Sequence, residues 1–178
     1  MNLVLIGMPA CGKSTVGVIA AKLLGYSFID ADLVLQQREG RLLQQIIDED
    51  GTPALLRAEE NALLSIDADS AVIATGGSAV YSAAGIEHLR ENSVVAYIQV
   101  PFEDIMTRLN NLDTRGVAGA KDRSLADIYA ERVPLYEKYA DITLRVGHTN
   151  PFDTAKQLTE LYQKYKSEID KGTDSCHT

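Results

Sequence analysis

The octapeptide Gly7-Met8-Pro9-Ala10-Cys11-Gly12-Lys13-Ser14 constrains this chain more than any other feature. It has the spacing of a phosphate-binding loop: a glycine, four residues, then Gly-Lys-Ser. It also stands where the physics requires, after an apolar run from Leu3 to Ile6 and before a segment of helical periodicity from Lys13 to Leu24 that stops at Gly25. At such a junction loop N–H groups and a helix N-terminus converge on an anion. Lys13 is expected to reach the outer phosphates of a nucleotide, and the Ser14 hydroxyl to ligate magnesium. Gly7, Pro9, Ala10, Cys11, Gly12, Lys13, Ser14 and Thr15 form the expected nucleotide-binding set. The loop names a ligand and no reaction, because GTPases, motors, nucleotide kinases and small-molecule kinases share it.

A strand feeding a helix opens a βαβ unit, and the chain repeats that alternation. Short apolar or β-branched runs recur at Tyr26 to Ile29, Ala71 to Thr75, Val94 to Val100 and Ile142 to Val146. Helical segments fill the gaps at Ala54 to Leu64, Phe102 to Leu109, Ser124 to Tyr139 and Pro151 to about Ile169. In the Thr52-Pro53 pair before Ala54, Thr52 is expected to cap and Pro53 to take the first helical position. The fold class is therefore α/β, a parallel sheet between helices. Near-continuous apolarity in the first, third and fourth runs marks strands covered on both faces. With 178 residues the chain makes one domain, read as residues 1–170 with a flexible tail at 171–178. The stretch from Asn110 to Arg123 has no strong periodicity and reads as a mobile lid.

Charge narrows the partners. Lys and Arg total 17 against 25 Asp and Glu, a formal net charge of -8. Nucleic acids and anionic membranes are thereby excluded as general partners, since phosphate affinity needs a broad basic surface. No apolar run approaches the ~20 residues that span a bilayer, so a cytoplasmic protein is expected. Two cysteines, Cys11 and Cys176, make no disulfide framework. His88, His148 and His177 share no metal-ligand spacing with them and read as surface residues. Cys11 reads as a small loop residue, with a redox-sensitive thiol beside the phosphates as the alternative.

The second strand ends in Phe28-Ile29-Asp30-Ala31-Asp32. Carboxylates at alternate positions of an extended chain share one side, and the carboxyl end of a strand is where open α/β sheets bind ligands. One carboxylate can hold magnesium through water, and the other can accept a proton from a substrate hydroxyl. An Asp pair that only opens a helix is the competing reading. Asp48-Glu49-Asp50-Gly51 has a GTPase-like Asp-x-x-Gly spacing, but it lies in a helical segment and no Asn-Lys-x-Asp occurs in the chain.

Taken in order, these motifs resemble the shikimate kinase family from Met1 to about Pro151. The phosphate loop is followed by Asp30-x-Asp32, then Gly51 with Arg57-Ala58-Glu59-Glu60, and Thr75-Gly76-Gly77-Ser78 after the third strand. Arg108 and Arg115 come next, then Arg132-Val133-Pro134-Leu135-Tyr136 and Asn150-Pro151. The resemblance implies a single-domain, three-layer kinase with a five-stranded parallel sheet, ATP and Mg2+ as cofactors, and a small-molecule acceptor. It assigns Asp30 to magnesium through water and Asp32 to the acceptor hydroxyl as candidate base. Arg57 and Arg132 would pair with an acceptor carboxylate, which suits arginine's planar fork. Gly76, Gly77 and Ser78 would line the acceptor site, Arg115 would swing over the transferring phosphoryl, and Arg108 and Pro151 would sandwich the adenine. Lys13, Asp32 and Arg115 are the expected catalytic set, in a monomer.

The chain departs from the family pattern on the acceptor side. Gly76-Gly77-Ser78 stands where the family usually has three glycines, which puts a side chain and a hydroxyl near the substrate. Leu56-Arg57 replaces the usual Phe-Arg, and counted from Gly51 the arginine falls one residue late. Either an insertion restores Arg57, which keeps an Arg-x-x-Glu spacing to Glu60, or Leu56 has replaced the arginine; the two differ by a rotation of ~100° on a helix. Arg115 precedes Gly116 where the family usually has proline. Shikimate is the favoured acceptor, with homoserine as the alternative. Two more distant readings are a nucleotide-binding module without turnover and a nucleoside monophosphate kinase.

Overall fold

The strands are Asn2–Ile6 (β1), Ser27–Asp30 (β2), Ala71–Ala74 (β3), Ser93–Gln99 (β4) and Ile142–Arg145 (β5). In this computed structural model, which describes residues 1–110, 123–147 and 149–174, they form one sheet in the order β2-β3-β1-β4-β5. Every pairing is parallel, with Leu3 opposite both Val72 and Val94. The three central strands are those whose apolarity runs nearly unbroken, and β1 and β3 are buried throughout. The edge strands differ as edges should: β2 is partly exposed, and β5 alternates buried with exposed.

The helices are Lys13–Leu24 (α1), Ala31–Glu39 (α2), Leu43–Asp50 (α3), Thr52–Leu64 (α4), Ala83–Arg90 (α5), Phe102–Asn110 (α6), Leu125–Tyr139 (α7) and Pro151–Asp174 (α8). α1 and α8 pack together beside the sheet, and Tyr162 of α8 donates to the carbonyl of Met1 at 2.9 Å. A second apolar cluster of Leu35, Ile46, Ile47, Leu55, Ala58 and Ala62 joins α2, α3 and α4 into a unit of its own. No helix among the described residues is long and apolar enough to cross a membrane.

Several expectations are corrected here. α2 and α5 are short helices that the sequence reading left unassigned, and α3 was read only as a helical segment around Asp48 to Gly51, without bounds. α2 is mainly polar, with only Ala31 and Leu35 buried, so its apolar stripe is too thin to announce itself. Thr52 does not cap α4: Gly51, at φ 81°, occupies the N-cap, so Thr52 is the first helical residue and Pro53 the second. Proline is tolerated there for the same reason as one position earlier, because the N–H it lacks would have no partner. α8 continues through Asp174, so Lys171 to Asp174, expected in the tail, are helical. His88 is half-buried, with Nε2 2.9 Å from the carbonyl oxygen of Ile66. Of the stretch from Asn110 to Arg123 read as a lid, Asn110 ends α6 and Arg123 pairs with Glu131, while 111–122, like 175–178 of the tail, lie outside the described residues.

Gly17 sets how closely α1 approaches the sheet. A Cβ there would lie 2.8 Å from the Phe28 ring and 3.1 Å from Leu5 Cδ1, and Leu5 is fully buried. Gly17→Ala would raise helix propensity by about 1 kcal/mol, whereas overpacking costs about 1–3 kcal/mol. The expected outcome is a net loss of about 1 kcal/mol, read as a lower urea midpoint with an unchanged slope.

Candidate active site

The phosphate loop is held in a shape that only its own residues permit. Gly7 has φ 145°, and a Cβ on it would stand 2.7 Å from the Ile98 carbonyl oxygen of the neighbouring strand. Gly12, the N-cap of α1, has φ 99° and offers no side-chain cap, so the first-turn amides of α1 stay open toward an anion. Ala10 has φ 62°, a left-handed conformation that is strained for a residue with a Cβ. Lys13 is buried and folds back on the loop, its Nζ donating to the carbonyls of Gly7 at 2.7 Å and Met8 at 2.9 Å. The buried Cys11 Sγ lies 3.7 Å from that ammonium. Ser14 is half-buried and Thr15 exposed on the first turn.

Arg108 reaches the same loop from α6. Its Nη1 donates to the carbonyls of Ala10 at 3.2 Å and Cys11 at 3.3 Å. Pro151 is exposed at the start of α8, where Asn150 accepts from the Asp153 amide. Arg115 lies outside the described residues.

The acceptor side is assembled from four separate stretches of chain. Asp30 ends β2 and caps α2, its carboxylate accepting from the Asp32 amide at 3.0 Å. Asp32 is therefore the second residue of a helix and not, as expected, the next alternate position of a strand. Capping turns the chain helical between the two carboxylates, so an argument from strand alternation does not hold for them. Asp32 nonetheless comes to the site: a methyl group on Gly76 would stand 2.9 Å from its Oδ1 and would overlap the Glu59 carboxylate. Gly77 packs on the phosphate loop, where a Cβ would lie 2.5 Å from Pro9 Cδ. Ser78 is buried.

Arg132, on α7, is 1% exposed, with Nε donating to the Tyr81 hydroxyl at 3.2 Å and its guanidinium 5.1 Å from the centre of that ring. Arg57 is not brought to this site. It is exposed on α4, while Glu59, two residues on and thus about 200° around the helix, is buried. Leu56, three residues before Glu59 and on its side of α4, is half-buried. A regular α4 thus gives the inward position to Leu56.

Two residues of the site were given no role from sequence. Glu59 is 5% exposed, and burial raises its carboxyl to about 7 against the pull of the Ser78 hydroxyl, Arg132 and Lys13; Asp32 pushes in the same direction as burial. The signal was available: Glu59 is the one carboxylate within the stripe of Leu55, Ala58, Ala62 and Leu63, where an unpaired acid is rarely buried. Tyr136 is the other. Its hydroxyl donates to the Gly77 carbonyl at 2.6 Å, its ring stacks on Tyr97 with centroids 5.1 Å apart, and burial raises its pKa strongly.

The family model for shikimate kinase matches residues 9–166. A shikimate kinase from Thiobacillus denitrificans is 35% identical over 88% of this chain and 82% of its own. One from Moorella thermoacetica is 34% identical over 92% and 95%. Among solved structures, a shikimate kinase from Acinetobacter baumannii in complex with shikimate superposes with a TM-score of 0.80 at 29% identity, over 93% of this chain and 94% of that one. The fold, the ordered motifs and a match over most of its length agree, and this chain belongs to the shikimate kinase family.

Proposed function

We propose that the chain transfers the γ-phosphoryl group of ATP to a hydroxyl of shikimate. The observation that carries the reading is the packing of the Gly76-Gly77 segment on the phosphate loop, which puts an acceptor beside the phosphates. A phosphoryl group can then pass between neighbours in line, and the protein's work is positioning and charge stabilisation. Family membership and a relative solved with shikimate support this acceptor; no observation here favours homoserine.

In this reading Lys13 leaves the loop carbonyls to meet the outer phosphates, and the open amides of α1 bind them. Arg108 holds the loop by its edge while its flat face remains open to stack on a base with Pro151. Asp32 orients the acceptor hydroxyl and takes its proton as the oxygen bonds to the γ-phosphorus. The bond from phosphorus to the β–γ bridging oxygen breaks, and its electron pair leaves with ADP. Arg132 pairs with the acceptor carboxylate. Ser14 and, through water, Asp30 would hold Mg2+, oxygen donors of the kind this hard cation takes while phosphates and water complete its shell. When bound, Mg2+ neutralises charge developing on the phosphate oxygens. A monomer is the proposed working unit.

The test is ADP release from ATP and Mg2+ with shikimate, homoserine, AMP or no acceptor. Shikimate-dependent release is expected; stimulation by homoserine or AMP alone would overturn the acceptor. Lys13→Ala and Asp32→Ala should each lower kcat by about a thousandfold or more with thermal unfolding little changed. Arg132→Ala should raise the shikimate KM at least about tenfold, whereas Arg57→Ala should leave it unchanged, and a large effect of Arg57→Ala would show that α4 presents a different face to substrate.

A further inference from the structure

We propose that Tyr81 is a positioning residue: its hydroxyl, with the proton committed to Glu131, accepts from Arg132 Nε, its ring lies against the guanidinium, and Arg132 is thereby aimed before an acceptor carboxylate arrives. The inference rests on the acceptor reading above and adds to it a side chain that does not itself need to touch the acceptor.

The support begins in the glycine segment. Tyr81 ends the 3-10 turn Ala79–Tyr81, which follows Gly76-Gly77-Ser78 directly. Ala79 and Val80 are buried and the Tyr81 amide donates to the Ser78 carbonyl at 2.9 Å, so the backbone that carries the ring is tied to the segment lying on the phosphate loop. Glu131 and Arg132 are neighbours on α7, and both reach the Tyr81 hydroxyl. It donates to Glu131 Oε1 at 2.5 Å and accepts from Arg132 Nε at 3.2 Å, while the guanidinium carbon stands 5.1 Å from the ring centre. Arg123, just before α7, donates to the other Glu131 oxygen. Four side chains thus form one line, from Arg123 through Glu131 and Tyr81 to Arg132.

The line has a direction. A phenol has one proton to give, and arginine can only donate. Arg123, and after it Tyr81, hold the Glu131 carboxyl below its ordinary range, so at neutral pH Glu131 only accepts and takes the phenol proton. The Tyr81 oxygen then presents a lone pair to Arg132 Nε. Arg123 and Glu131 are 41% and 42% exposed, where an ion pair adds little stability; what the pair supplies is orientation. Orientation matters most at Arg132, a long side chain whose ordering would otherwise be charged against acceptor binding. Arg57 is exposed on α4, so among the residues assigned above the acceptor carboxylate depends on Arg132.

The experiment has two arms. In ligand-free protein labelled with 15N-arginine, the Arg132 Nε–Hε signal, assigned by its loss in Arg132→Lys, should exchange with water about tenfold faster in Tyr81→Phe than in the unaltered chain. Glu131→Ala should act in the same direction, and Glu131→Gln, which keeps an acceptor oxygen for the phenol, should restore the slow exchange. In turnover, Tyr81→Phe should raise the shikimate KM by about tenfold and leave kcat, the ATP KM and thermal unfolding unchanged. A purely structural role for the tyrosine would not single out the acceptor KM. An Nε–Hε signal that exchanges no faster in Tyr81→Phe overturns the proposal, and so does a shikimate KM that Tyr81→Phe leaves in place. Unaltered protein that shows no shikimate turnover overturns the acceptor reading, and the Nε–Hε signal then still decides whether Tyr81 holds Arg132.

Discussion

The rest of the site depends on one seam, the junction of β1 and β3 at their carboxyl ends. Thr75, the first residue after β3, donates twice to the carbonyl of Leu5, from its amide at 3.1 Å and its hydroxyl at 2.9 Å. That double bond of β3 to β1 fixes where each chain leaves the sheet, so Gly76-Gly77 and the phosphate loop emerge side by side. Gly77 can then lie on Pro9, and Tyr136 locks the arrangement from α7 through the Gly77 carbonyl. A side chain on either glycine would force the two segments apart or displace the carboxylates above them. Distance between donor and acceptor sites is thus set by backbone register, which is stiff, and not by loops.

Around this seam the protein buries three charged side chains among the described residues, Lys13, Glu59 and Arg132. Burying a charge is costly unless it is paired and hydrogen-bonded: loop carbonyls accept from Lys13 and the Tyr81 hydroxyl from Arg132, while both cations favour the charge of Glu59. The balance is least favourable for Glu59. Its folded pKa stands above the ordinary 4.5, so its contribution to stability is fully present below that value and is lost as pH rises through about 7. Stability and the charged state of Glu59 therefore pull in opposite directions at neutral pH. Such a conflict is expected where a side chain is kept for its charge and not for its packing.

Much of the fold was legible because its signals are local. A parallel strand buried on both faces must be apolar at nearly every position, and β1, β3 and β4 are. α1 is bounded by two glycines in left-handed conformations, a start and a stop that can be read directly. α2 was not legible and α3 only in part, since their buried residues are few and Leu35, Ile46 and Ile47 face a small satellite cluster that exists only when α4 is present. Thr52-Pro53 misled by one position, because Gly51 reaches a φ that threonine avoids and so takes the cap itself.

The nucleotide half of the site shares this locality: one strand, one loop and one helix supply most of it, and spacing in sequence is spacing in space. The acceptor half does not. Asp32, Glu59, Gly76 and Arg132 meet from α2, α4, the end of β3 and α7, and the motifs themselves do not state the rotational phase of a helix, which for α4 only its apolar stripe gives. That phase separates Arg57 from Glu59. Both belong to one short motif and both look chemically apt, yet an advance of two residues carries a side chain most of the way to the opposite face. The helix must bury Leu55, Ala58 and Ala62 against α2 and α3, and this apolar demand sends Glu59 inward and Arg57 to solvent. Packing thereby selected which charged residue this side of the site contains.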